Sequence, residues 1–195
     1  KGLLLQAQKI ALSNIKILGN LVSDEVQMIG IEPSAILTFR DEYPDLANDE
    51  NLSAANNLAT NSFFIDEFLA KEMEGGFITK EQFTNESKSI LLHGHCQQKA
   101  VGSLADSVKV LSFPAHYSVE TIPSGCCGMA GSFGYEKEHY EVSMNIGELV
   151  LFPKVRAHKD TCTIAAPGTS CRHQIKDGTG VHALHTVEVL FEALV

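Results

Sequence analysis

Four of this chain's five cysteines stand in three short turns, and each turn follows an apolar run of strand length. Ser89-Ile90-Leu91-Leu92 runs into His93-Gly94-His95-Cys96, and Tyr117 to Ile122 runs into Pro123-Ser124-Gly125-Cys126-Cys127-Gly128. Asp160 to Ala166 runs into Pro167-Gly168-Thr169-Ser170-Cys171. Helical patterns separate them: residues 97–111 carry Ala100, Leu104, Val108 and Leu111 on one stripe, and residues 136–152 form a second helix that Pro153 should kink or end. Strands alternating with helices of about ten residues or more predict an α/β fold, a parallel sheet with covering helices. In such sheets ligands gather outside the carboxyl ends of the strands, so the topology predicts that the three turns share one edge.

The first half of the chain repeats part of this order. Leu3, Ala7, Ile10, Ala11, Ile15, Leu18 and Leu21 recur at helical spacing, and Val26 to Ile31 reads as a short buried strand. Glu32-Pro33-Ser34-Ala35 leaves that strand, and a helix resumes at Ile36, with Arg40-Asp41-Glu42 on a solvated face or in an interdomain ion pair. Residues 53–74 are expected to be helical and to close at Gly75-Gly76. Val181 to His185 is a candidate for a last short strand, and residues 187–194 for a closing helix. Helix, strand and Glu32-Pro33-Ser34-Ala35 echo helix, strand and Gly168-Thr169-Ser170-Cys171. Read as a repeat, this makes residues 1–46 the back half of a first unit, 47–87 a helical connector and 88–195 a complete second unit.

Composition narrows the function classes. A net charge of −9, a pI near 5.3 and the lack of any basic run argue against nucleic acid or an anionic membrane as partner. No apolar run approaches the roughly 20 residues of a transmembrane segment. The chain opens inside a helical pattern with no initiator methionine and no capping residue, as expected of an excised fragment. An odd number of cysteines suits a reducing cytosol better than a disulfide framework.

Two adjacent thiols framed by glycine are poor core material, while glycine lets a bulky group approach the backbone. Thiolates favour zinc, copper(I) and iron–sulfur clusters. Cys96, Cys126, Cys127 and Cys171 on one rim could hold any of these, or the vicinal pair Cys126 and Cys127 could do redox chemistry without metal; ordinary buried thiols are the remaining reading. His93, His95 and His173 are candidates for ligands or, as we favour, for groups that support the ligands. Arg172 and Lys99 are candidate tuning charges or surface ion-pair partners. Cys162, mid-strand between threonines, is assigned to the core. The glycines of 128–134 match neither the dinucleotide fingerprint nor a P-loop, and are assigned to backbone approach around the thiols.

Together the motifs resemble the CCG, or cysteine-rich, domain found in heterodisulfide reductase, in lactate-utilisation proteins, and in the iron–sulfur subunits of glycolate oxidase and anaerobic glycerol-3-phosphate dehydrogenase. His93-Gly94-His95-Cys96-Gln97-Gln98-Lys99-Ala100, residues 126–136 and residues 168–175 look closest to the C-terminal region of large FAD-linked oxidases, which act on D-lactate or D-2-hydroxyglutarate. The resemblance implies that Cys96, Cys126, Cys127 and Cys171 bind an iron–sulfur cluster of [4Fe–4S] type, with zinc as the alternative. It implies FAD on another domain of the same parent chain, an electron acceptor beyond it, and a cytoplasmic location that the parent protein could bring to the membrane surface. The chain departs from the family twice: Gly168 stands where the closing Cys-x-x-Cys has its first thiol, and Ala35 stands where a first unit usually has cysteine.

Overall fold

The first helix, α1 (Leu4–Leu18), forms where apolar residues recur every three or four positions, and it buries Ala11 and Ile15. Ile10 belongs to the same pattern but is exposed, because about 100° of rotation per residue sets it roughly a quarter turn away from Ala11; Leu3 and Leu21, which flank the helix, are exposed as well. β1 (Met28–Gly30), α2 (Pro33–Ile36), α3 (Glu42–Leu46), α4 (Leu52–Thr60) and β2 (Ser62–Phe64) complete a first compact unit that ends at Phe68. Its core gathers Ala11, Ile15, Val22, Tyr43, Ala55 and Leu58. The two strands pair in parallel, Met28 opposite Ser62 and Gly30 opposite Phe64.

Three expectations are corrected here. β1 is not buried: in a two-stranded sheet it is an edge, and Val26, Ile29 and Ile31 are exposed. The stretch 53–74 is not continuously helical, since Phe63-Phe64 extends into β2 before α5 (Ile65–Glu74) begins. Arg40 is not on a solvated face; its guanidinium donates to the Ser62 carbonyl and to both carboxylate oxygens of Glu67, tying the segment after β1 to β2.

The second unit, Leu69–Val195, is built on β3 (Lys88–Leu92), which is central in a three-stranded parallel sheet. After it come α6 (Cys96–Val101), α7 (Ala105–Leu111), β4 (Tyr117–Thr121), α8 (Tyr140–Leu149), α9 (Leu151–His158), β5 (Thr163–Ala165), α10 (Thr169–Thr179) and α11 (Thr186–Phe191). The computed structural model describes residues 2–195. The expected α/β fold with parallel strands and flanking helices is the one the chain adopts. Alternation along β3 divides the core, as period-2 geometry requires. Ile90 and Leu92 face a cluster with Val110, Leu111, Val189 and Leu190, whereas Leu91 faces one with Met129, Leu151, Phe152, Ile175, Cys127 and Cys171.

Several boundaries move for local reasons. The helix over 97–111 is split by Gly102, whose φ of −133° and ψ of −143° leave the helical region. The helix over 136–152 starts at Tyr140 and breaks at Val150 (φ −144°, ψ −47°), not at Pro153. Pro153 sits in the first turn of α9, where a missing N–H deprives no carbonyl of its bond. Val181 to His185 contributes one bridge, Leu184 beside Ala165, rather than a strand. Cys162 precedes β5 and is partly buried against the second cluster. α10, which carries Cys171, fills a stretch that the periodicity leaves unassigned. No described helix is long and apolar enough to cross a membrane.

Candidate metal centre

Register sets the site. Leu92 lies opposite Thr121 on one side and Ala165 on the other, so the three strands stop together and release their turns at one edge. The four thiols of those turns meet there. Cys96 neighbours Cys126, Cys126 neighbours Cys127, and Cys127 neighbours Cys171, each pair close enough to shift one another's protonation. The series runs inward from the surface: Cys96 is exposed, Cys126 half-buried, and Cys127 and Cys171 buried. A ring nitrogen of His93 and the sulfurs of Cys127 and Cys171 all lie within 4.8 Å of one another.

Four neighbouring thiols without a counter-cation cannot all ionise, and their hydrogen bonds divide them. Cys126 is held well below the ordinary thiol range by hydrogen bonds from Cys127 and then Cys96. Cys171 is also held well below it, by the hydrogen bond from Cys127, with His93 adding to the effect against burial. The donors move the other way: Cys96 is pushed up by its bond to Cys126, and Cys127 by its bonds to Cys126 and Cys171. Backbone N–H groups favour thiolate throughout: Gln97 donates to Cys96, Gly128 and Ala130 to Cys126, and Met129 to Cys127. The Gly128 N–H lies 3.3 Å from the Cys126 sulfur.

That donor array needs an unusual backbone. Gly128 has φ +103°, and a Cβ there would come within 2.1 Å of the Ser143 carbonyl oxygen on α8. Ala130, at φ +42°, is a non-glycine residue in the left-handed region, the kind of local strain that folds retain where a loop is held for a purpose. Gln174 on α10 supports the loop from below, donating from Nε2 to the Ser143 carbonyl (3.1 Å) and hydroxyl (2.9 Å).

The other candidates separate. His93 is fully buried, with Nδ1 2.8 Å from the Ser124 hydroxyl; its Nε2 meets no oxygen or nitrogen partner among the described residues, and the ring lies against the sulfurs of Cys127 and Cys171. His95 is the N-cap of α6 and accepts the Gln97 N–H at Nδ1; its ring fills the space beside Gly168, where a Cβ would meet its Cδ2 at 2.3 Å. Arg172 donates to the carbonyls of Ala166 and Pro167 and so braces the turn before Cys171. Exposed His173 meets the Tyr135 hydroxyl at 2.7 Å. Lys99 donates to the Ser124 and Gly125 carbonyls; burial lowers its pKa, while the charge of all four cysteines opposes that shift. Ser124 is the residue that the motifs alone do not single out, and its only signal is a hydroxyl two positions before the thiol pair.

An open apolar groove of about 280 Å³ is lined by Leu69, Met73, Ile78, Phe83, Leu190 and Leu194 among others, and no thiol or histidine faces it. The chemistry of the second unit is therefore concentrated at the sheet edge. In class, the chain is a parallel α/β protein with four thiols and a buried histidine assembled at the carboxyl ends of its strands.

No protein-family model and no solved structure matches it. Among curated proteins it is similar to D-2-hydroxyglutarate dehydrogenase of Escherichia coli (strain K12), with 32% identity across the whole of this chain and 18% of that protein. The protein of the same name from Haemophilus influenzae is 28% identical, again over the whole chain and 19% of its own length. A component of the anaerobic glycerol-3-phosphate dehydrogenase of E. coli K12 is 23% identical over 97% of this chain and 46% of that component. The chain thus spans less than a fifth of the two D-2-hydroxyglutarate dehydrogenases and under half of the glycerol-3-phosphate dehydrogenase component. Both kinds of protein are ones the motif resemblance pointed to.

Proposed function

We propose that this chain is the electron-carrying part of a larger FAD-linked oxidoreductase acting on a 2-hydroxy acid, and that Cys96, Cys126, Cys127 and Cys171 hold an iron–sulfur cluster of the [4Fe–4S] kind. The observation that carries this reading is the unbroken series of four sulfurs with N–H groups of Gln97, Gly128, Ala130 and Met129 donating to three of them. Those donors stabilise thiolate, the form that binds iron, and Lys99 adds positive charge beside all four. Such a cluster, when bound, takes up and returns single electrons. Cys127 and Cys171 anchor the site in the core, while exposed Cys96 brings it to the surface where a redox partner can approach.

Substrate oxidation is assigned to a flavin domain of the same parent chain, with the acceptor on the far side of the cluster. We further read residues 1–46 as the back half of a first CCG unit, 47–87 as a connector and 88–195 as the complete second unit. Support comes from local geometry: Glu32 and Gly168, the first residues of the two echoing motifs, are each the N-cap of a helix that follows a strand.

Anaerobic purification with iron and sulfide analysis and EPR tests the cluster, and protein that stays iron-free after reconstitution sinks it. A second reading, a structural zinc site, is favoured by the proximity of His93 to Cys127 and Cys171, a donor mixture that zinc accepts. Stoichiometric zinc in protein expressed with ample iron, and no visible absorbance, would select it.

A further inference from the structure

Every histidine near the thiols is a possible nitrogen donor by type, but their hydrogen bonds make them unequal. His95 spends Nδ1 on the Gln97 N–H, so its neutral ring carries the proton on Nε2 and has no lone pair left to give. His173 is exposed and turned to Tyr135. His93 differs from both. Its backbone N–H is fixed to the Ala165 carbonyl at 2.8 Å, which seats it at the rigid junction of β3 and β5. Its ring is buried, its Nδ1 is 2.8 Å from the Ser124 hydroxyl, and its Nε2 meets no oxygen or nitrogen partner among the described residues, while the ring lies against the Cys127 and Cys171 sulfurs and helps to ionise Cys171.

A buried ring nitrogen whose neighbours are two buried sulfurs, all three donor atoms within 4.8 Å of one another, is the arrangement of a metal ligand set. From the contacts above, we infer that His93 is not a supporting residue but a direct ligand, giving the Nε2 lone pair to the metal centre that Cys127 and Cys171 bind. The proton bookkeeping closes: Nδ1 keeps its hydrogen and donates it to the Ser124 Oγ, and Nε2 binds as neutral imidazole without releasing a proton. Metal-ligating histidines are commonly oriented in this way through the second ring nitrogen. Ser124 is in turn held by Lys99, which donates to its carbonyl. The centre offers four positions, so His93 takes the one that the four-thiol set gave to exposed Cys96, and the ligands are His93, Cys127, Cys171 and Cys126.

This inference rests on the reading of the thiols as a metal centre, and its test separates the two. Protein labelled with 15N-histidine is reconstituted with iron and sulfide, reduced, and examined by pulsed EPR. A strong nitrogen hyperfine coupling is expected, of the size produced by a directly bound imidazole, and it should disappear in His93→Gln. Iron uptake with only the weak coupling of a hydrogen-bonded ring overturns the inference and leaves the cluster reading intact. So does a strong coupling that survives His93→Gln. Should that variant not fold, the labelled wild-type spectrum still decides whether any histidine is bound, and His93→Cys, which supplies a ligand of the other kind, should recover metal uptake with the nitrogen coupling lost. If the protein takes up zinc instead of iron, the cluster reading fails, and zinc X-ray absorption decides the inference: imidazole scattering supports it, and a sulfur-only shell overturns it. Uptake of neither metal overturns both.

Discussion

Replacing Gly128 by alanine should be far more damaging than the same change three residues later, at Gly131. Both glycines have positive φ, +103° and +67°, so each substitution carries backbone strain of about 1–2 kcal/mol. Around Gly131 there is open space within 4 Å of an added Cβ, and the strain is the whole cost. At Gly128 the added carbon would come within 2.1 Å of the Ser143 carbonyl oxygen and 3.0 Å of Gln174 Nε2. Neither can step aside cheaply, because the carbonyl is helix backbone and the amide is bonded to it. Forced overpacking adds about 1–3 kcal/mol, which brings Gly128→Ala to about 2–5 kcal/mol. With a urea dependence of about 2 kcal/mol per molar, the midpoint should fall by about 1–2.5 M, against about 0.5–1 M for Gly131→Ala. Urea titrations of the reduced, metal-free protein, followed by circular dichroism, measure both. Equal midpoints for the two variants would falsify the claim that the thiol loop is pressed against α8.

Four other outcomes are expected. Arg40→Met should cost about 2–4 kcal/mol in the same titration, since Glu67 is left 15% exposed with its partner gone; Lys109→Met, which breaks the exposed pair with Glu74, should cost less than about 1 kcal/mol. Gly168→Ala should push His95 off the α6 N-terminus and lower both melting temperature and metal content, and adding His95→Ala should recover part of the loss; a double variant as impaired as the sum of the singles would argue against the clash. Because Cys96 and Cys127 are held above the ordinary thiol range, they keep their protons at neutral pH and must lose them on loading. Chelator competition should therefore show metal affinity rising with pH by about two decades per unit if all four thiols bind, and by about one if His93 stands in for Cys96; a flat profile would contradict the division of protons among the thiols. Ser124→Ala should weaken metal retention by about 10- to 100-fold through loss of the Nδ1 contact, read in that same competition assay.

Much of the fold was legible because it rests on periodicity. The three strands of the second sheet come from apolar runs with a turn at each end, and their parallel arrangement follows from the helices between them. What the pattern could not supply was interruption. Gly102 divides one expected helix and Val150 another, and neither announces itself: an isolated glycine is tolerated in helices, and valine is an ordinary helical residue. Pro153 misled in the opposite direction, since proline is disruptive in the interior of a helix but harmless in its first turn. β2 was hidden because three residues between two helices are too few to show an alternation, and α10 because its buried face includes a cysteine and a glutamine.

The site was legible as far as its thiols meeting at one sheet edge, which follows from topology alone. Which histidine matters was not legible, because it depends on hydrogen bonds between residues about thirty positions apart. His93 and His95 flank the same glycine and look equivalent in sequence, yet one caps a helix through Nδ1 and the other sets its ring, with no oxygen or nitrogen partner for Nε2, against two sulfurs. The absence of a thiol at 168 then has a physical counterpart. The His95 ring already lies where any side chain at 168 would have to begin, and it is held there by the Gln97 N–H of the helix that carries Cys96. A fifth thiol could not be restored by Gly168→Cys alone, because the cap of α6 and the glycine at 168 are two sides of one packing arrangement.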